Sequence, residues 1–462
     1  MEIARELGRR VAAFDYRSLP PEAVYWAKVG LLDTLGVTLA GGNTPAARLL
    51  FDTLAPSDGP ALVFGSDRRI NVLDAAAVNG TASHALDFDD CNNTIGGHPS
   101  VPIIPGLIAV AEECGASGAD VITAYVAGFE AETRVARAVN FHHYEKGWHP
   151  TATLGIFGAA AAASRLMGLD AERTGVAIAI AASLAAGLKA NFGTMVKPLH
   201  VGHCARNGLF AARLARSGYD ARPDVVFEHK QGFFEVFNGA GNYDASKVFA
   251  DWASPLDLLD PGIAIKQYPC CGSTHPALDA MLSLKREHRI DPDDVAKIEG
   301  WIHKRRLAHT NRPDPRTALD AKFSLQYCLA RAVVDGRVIL EDFEGDNHAD
   351  PRVHALLPRI TVAAYDDTRF DPSNHFGGEV HVTLKGGRVL RAKVEQPLGR
   401  TTKNPLPPAL LRAKFEACAS RALPQDRVSR LAEALERFET YSDIRDVTAL
   451  AEVPRSSKQA AA

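Results

Sequence analysis

Apolar residues recur every three or four positions through most of the first 265 residues, the spacing of one helical face. Pro20-Pro21-Glu22 opens such a stretch, and residues 24–39 continue it. The same spacing predicts helices over 72–86, 101–114 and 119–139. Two further segments, 151–167 and 174–188, are dominated by alanine with Gly155, Gly158 and Gly187 interspersed. Small apolar side chains on all sides predict helices that are buried and closely approached by their neighbours. Residues 206–216 extend the helical pattern.

Near residue 265 the period shortens to two. Residues 295–303, 359–364, 379–384 and 389–395 alternate as strands do, and Gly386-Gly387 predicts a hairpin between the last two. Helical segments 276–288 and 322–335 are interleaved, and helical spacing returns at 408–422 and 425–440. The pattern predicts a large all-α helical domain over 1–265 with 398–450. A smaller α+β lid domain over 266–397 is inserted before the C-terminal helices. The last helices are too short to form a core alone and are expected to dock on the first domain. Residues 451–462 read as a disordered tail.

A chain of 462 residues is long enough for two cores. A net charge of −3 gives no electrostatic reason to expect nucleic acid or a membrane surface as partner. The longest uncharged apolar run, 174–188, is shorter than the roughly 20 residues a spanning helix needs. Met1-Glu2-Ile3-Ala4-Arg5 has no apolar run of the signal-peptide kind. The seven cysteines contain no C-x-x-C, which fits reduced thiols in a cytoplasmic protein better than a disulfide framework. Their spacing also speaks against an iron–sulfur dehydratase, and no glycine-rich nucleotide motif is present.

The chemistry-bearing residues cluster. His84-Ala85-Leu86-Asp87-Phe88-Asp89-Asp90 is followed by His98-Pro99-Ser100. Three readings stand: a helix end with solvated acids, a Mg²⁺-diphosphate motif, or a catalytic acid–base region. The second lacks a matching acidic cluster elsewhere. If the helix persists, Asp87 and Asp90 share one face. His98-Pro99, His149-Pro150, His275-Pro276 and Lys197-Pro198 each place a basic residue before a proline, the residue favoured at the first helical position. Each basic side chain would then reinforce the positive end of a helix, as a pocket for carboxylates requires. Tyr144, Lys197, His200, Lys266 and Tyr327 form a third group, in which both lysines interrupt apolar or glycine-rich stretches.

These segments resemble the MmgE/PrpD family. The resemblance is carried by 84–100, Gly147-Trp148-His149-Pro150-Thr151, Lys197-Pro198-Leu199-His200, Tyr268-Pro269-Cys270-Cys271 and 321–327, and covers nearly the whole chain. It implies a helical domain with an α+β lid, an interdomain site, a homodimer, and catalysis without metal or organic cofactor. The family contains 2-methylcitrate dehydratase, cis-aconitate decarboxylase and iminodisuccinate epimerase. By position Asp87, His98, His149, Lys197, Lys266 and Tyr327 match its active-site residues, and Tyr144 with Lys197 matches the acid–base pair of the epimerase branch. Cys91 stands where the decarboxylase branch has threonine, and Cys271 where it has histidine.

The expectation is therefore a lyase that abstracts a proton next to a carboxylate of a small di- or tricarboxylic acid. Lys197, Tyr144, Asp87 and His98 are the expected catalytic residues, with His149, Lys266, Cys271, Tyr327 and His200 binding substrate. An epimerase, a metal-dependent diphosphate enzyme and a non-catalytic carboxylate-binding protein are the alternatives.

Overall fold

In the computed structural model, which describes residues 2–453, the chain forms two compact units. One runs up to Ile265 and resumes at Pro408; the other is Lys266–Pro407. The return falls ten residues beyond the expected 398. Residues 398–407 stay with the second unit because Leu398 N–H bonds Asp279 and Asn404 Nδ2 donates to the carbonyls of Gln396 and Pro397.

The first unit is helical, apart from one small antiparallel pair, Asp58–Leu62 with Arg69–Ile70, that the sequence pattern did not suggest. Its central helices are Pro21–Gly41, Val72–His84, Gly118–Val139, Gly155–Leu166, Ala171–Leu184 and Val196–Arg216. Alanine and glycine allow them to touch almost backbone to backbone. A Cβ on Gly202 would lie 2.2 Å from the carbonyl of Ala77, and one on Gly128 would lie 2.6 Å from that of Gly158. Close packing of 196–216 on 72–84 brings Lys197 towards the end of the helix that carries His84. The expected helix over 206–216 in fact begins at Val196. The expected 151–167 helix is broken at Leu154 into Pro150–Thr153 and Gly155–Leu166. The expected 174–188 helix ends at Leu184, and Leu188 bridges Trp148 instead.

Pro408–Ala419 and Gln425–Glu436 belong to the first unit; the former packs on Pro21–Gly41. Residues 451–453 are ordered, because Gly65 N–H bonds the carbonyl of Ala451 and Val453 N–H that of Ser66. The rest of the expected tail lies outside the described residues.

The second unit carries a four-stranded sheet in the order Ile360–Ala364, Val295–Ile302, Gly378–Leu384, Val389–Val394. Only the first two strands pair in parallel. Gly387, at φ +83°, makes the expected hairpin. Helices His275–His288 and Leu325–Asp335 cover the sheet with Leu278, Met281, Leu284 and Leu329 against Ile298, Val380 and Val382.

Candidate active site

The Val72–His84 helix stops at His84, and the backbone turns sharply through Asp87, whose φ is +52°. A non-glycine residue reaches this left-handed region only when its surroundings hold it there. The turn separates the three carboxylates that a continued helix would have aligned. Asp90 points inward, bonded by the Ser100 hydroxyl, which lies 2.7 Å from Tyr125 Oη. Burial, with Asp33 nearby, pushes the Asp90 carboxyl well above the usual range. Asp90 is thereby turned away from Asp87 and Asp89, so the three acids of the diphosphate-motif reading do not face one site together.

Alternating charge then runs through the site. Lys197 Nζ donates to Asp87 Oδ1 at 2.7 Å, and His98 Nε2 lies 3.5 Å from the same oxygen. His98 Nδ1 is 2.8 Å from Asp89 Oδ2, and His84 Nδ1 is 2.9 Å from that oxygen. A carboxylate only accepts, so both Nδ1 atoms carry hydrogen. Burial opposes charge on His98, but Asp89 and Cys91 outweigh it and push its pKa to about 10. Burial likewise opposes charge on Asp89, yet the two imidazoles hold it well below the usual carboxylate range. His84 is fully enclosed; burial depresses it to about 4, leaving a neutral ring whose Nε2 has no hydrogen-bond partner among the described residues. Neither His84 nor Asp89 was among the expected site residues. The signal was present in the 84–90 segment, but the sequence could not show which acid turned which way.

His149 and His200 form the adjoining wall, with their Nδ1 atoms 3.2 Å apart. Phe192 stands edge-on to His149, and the Lys197 ammonium lies 5.2 Å from the centre of the same ring. Gly187, at φ +141°, lets the backbone pass: a Cβ there would lie 3.3 Å from His149 Cβ and 3.4 Å from His200 Cγ. Burial pushes His149 well below its ordinary pKa, reinforced by His84 and Lys197, and burial lowers His200 as well. The expectation of His149 as a cationic anion partner is therefore corrected: it is a neutral hydrogen-bonding ring. The shared cation–proline design also dissolves. Only His149 caps a helix start, and that helix is four residues long. Lys197-Pro198 lies inside a first turn, His98-Pro99 precedes its helix by several residues, and His275 is itself helical.

Tyr144 lies on the short helix His142–Lys146, partly exposed, with the Lys189 ammonium 3.3 Å from its ring centre. Lys197 is engaged by Asp87. Lys266, Cys271 and Tyr327 belong to the second unit. Lys266 is buried, and Cys271 is half-buried with its N–H bonded to the Lys322 carbonyl. Tyr327 is sealed in the core; its hydroxyl donates to the Asp342 carbonyl at 2.6 Å and accepts from Arg331 at 2.9 Å.

His84, Asp87, Asp89 and His98 bring four ligand-type atoms within 4.8 Å of one another. Both Nδ1 atoms are used on Asp89, and the Lys197 ammonium already neutralises Asp87. A cation there would have to displace the Lys197 ammonium from Asp87 and a proton from His98, so the donor set suits proton handling better than metal binding.

Sequence models of the MmgE/PrpD N-terminal and C-terminal domains match residues 5–246 and 268–440. The chain belongs to the MmgE/PrpD family. Human cis-aconitate decarboxylase is 31% identical, over 94% of this chain and 92% of its own length. The Aspergillus terreus cis-aconitate decarboxylase is 27% identical over 95% and 94%. A mitochondrial 2-methylcitrate dehydratase of Yarrowia lipolytica is 23% identical over 91% and 84%. These MmgE/PrpD relatives are lyases, and the chain is an enzyme of that kind. No helix among the described residues is long and apolar enough to cross a membrane.

Proposed function

We propose that this MmgE/PrpD protein is a lyase acting on a small di- or tricarboxylic acid, moving a proton at a carbon next to a carboxylate with side chains alone. The observation that carries the proposal is the run Lys197–Asp87–His98–Asp89–His84. Two cations and two anions alternate along it, ending on a neutral imidazole.

Both lyase outcomes need these elements. Dehydration takes a proton from carbon and expels a hydroxyl as water. Decarboxylation breaks a C–C bond, releases CO₂ and leaves its electron pair on a carbon that must take a proton. Negative charge builds beside a carboxylate in each case, and fixed cations aimed at it supply the largest stabilising effect. Lys197 and His98 are those cations, and Lys197 is the proton donor. Asp87 orients Lys197 and takes the substrate proton in the dehydration. Asp89 keeps His98 charged. Neutral His149 and His200 position the substrate without repelling Lys197.

Cis-aconitate heads the substrate panel, because the relatives at 31% and 27% identity are named for its decarboxylation. Chelator-treated protein is incubated in D₂O with cis-aconitate, 2-methylcitrate, citrate, malate and iminodisuccinate, and followed by NMR. The expected result is a lyase product with solvent deuterium at one carbon, abolished in Lys197→Ala. Exchange without bond cleavage would replace the lyase reading with epimerisation. Activity only after a divalent metal is restored would overturn chemistry by side chains alone.

A further inference from the structure

The turn that carries Asp87 and Asp89 is strained and has lost its helix, yet it sets the spacing of the two carboxylates that hold Lys197 and His98. Such a conformation persists only when neighbours fix it from several sides. Much of that fixing comes from one residue more than 300 positions along the chain. Lys414, on Pro408–Ala419, is buried. Its Nζ donates to the Phe88 carbonyl at 2.8 Å, pairs with Asp33 Oδ1 at 2.6 Å, and stands 4.1 Å from the Phe88 ring centre. Phe88 is the residue between Asp87 and Asp89. One ammonium therefore grips both the peptide and the ring at the middle of the turn.

Asp33 is the counter-charge. It lies on Pro21–Gly41, fully buried, and the Asp90 backbone N–H also bears on its carboxyl. A buried ion pair adds little to stability compared with apolar side chains of the same size. Packing alone would be met as well by leucine and methionine at 33 and 414. What the ion pair adds is direction, because a lysine donor fixes where the Phe88 carbonyl must lie.

We propose that Lys414, with Asp33 as its counter-ion, is a positioning residue for the active site. It touches no reacting atom. It holds the turn so that Asp87 and Asp89 present Lys197 and His98 in register. The inference rests on reading this cluster as the catalytic centre.

The test uses the full-length protein as Asp33→Asn/Lys414→Met, which leaves no unpaired buried charge, and as Lys414→Arg, which keeps a donor. Amide hydrogen exchange is followed over 85–92, with 72–84 and 408–419 as internal references, alongside kcat and KM. In the double variant, exchange over 86–90 should rise at least about tenfold while the reference helices stay protected. The kcat should fall by about 10- to 100-fold with KM within about threefold, the pattern of misalignment rather than lost binding. Lys414→Arg should recover slow exchange and most of kcat. Unchanged exchange over 86–90 in the folded double variant would overturn the proposal, as would a kcat equal to that of the parent. If the double variant does not fold, Asp33→Asn/Lys414→Gln takes its place: faster exchange confined to 86–90 supports the proposal, and exchange at the parent rate overturns it. If the parent shows no lyase activity on the panel, the exchange result still decides the role of Lys414, and the functional reading alone falls.

Discussion

Replacing Asp89 by asparagine tests the electrostatic core of the site. Asp89 is fully buried and accepts from both His84 and His98. Asparagine keeps the shape but not the charge. The rise of His98 from 6.5 to about 10 corresponds to about 5 kcal/mol of preference for the charged ring. Breaking a buried pair independently suggests a loss of about 3–5 kcal/mol. Without Asp89 the largest counter-charge to burial is gone, and His98 should be neutral at pH 8. The sign of the stability effect follows. A folded-state pKa above the unfolded value stabilises fully below pH 6.5, and that contribution is lost as pH rises towards 10. The stability gap between parent and variant should therefore be widest near pH 6.5 and shrink by up to about 1.4 kcal/mol per pH unit above it. Selective ¹⁵N-histidine NMR from pH 6 to 10 reads the His98 protonation state directly, and urea midpoints over the same range read the gap. A His98 ring still protonated at pH 8 in Asp89→Asn would show that Asp89 is not what holds the charge.

Other residues give separate outcomes. Gly187→Ala places a Cβ against both His149 and His200 at a positive φ; thermal unfolding should report a loss of about 1–3 kcal/mol, and kcat should drop. Glu132 is fully buried, neither carboxyl oxygen has a hydrogen-bond partner among the described residues, and burial with Asp90 pushes it well above its ordinary pKa. That group costs stability as pH rises above 4.5, so Glu132→Gln should raise the melting temperature at pH 8, with the gain fading towards pH 4.5. Tyr327→Phe removes a donor to Asp342 and an acceptor for Arg331; the loss should be about 1–3 kcal/mol of stability with KM unchanged, whereas a raised KM would make Tyr327 a substrate contact.

The order of elements was legible because hydrophobic period depends only on local spacing: seven helical stretches, then alternating strands and a glycine hairpin, then helices again. The 84–100 and 197–200 segments were also legible as chemistry, since histidine, aspartate and lysine are unusual in such apolar surroundings. What the sequence could not give was direction. Asp87, Asp89 and Asp90 are near-identical in sequence, yet one meets lysine, one meets two histidines and one meets serine. That division is made by a left-handed residue at 87 and by helices packed from positions 33, 197 and 414. The protonation pattern was equally out of reach. His84, His98 and His149 are the same residue with the same intrinsic pKa, and only the local balance of burial against neighbouring charge makes one of them a cation and leaves the others neutral. Sequence determined which groups were available and on which elements. Tertiary structure decided their charge, because burial and the distance to a counter-charge are properties of packing, not of order along the chain.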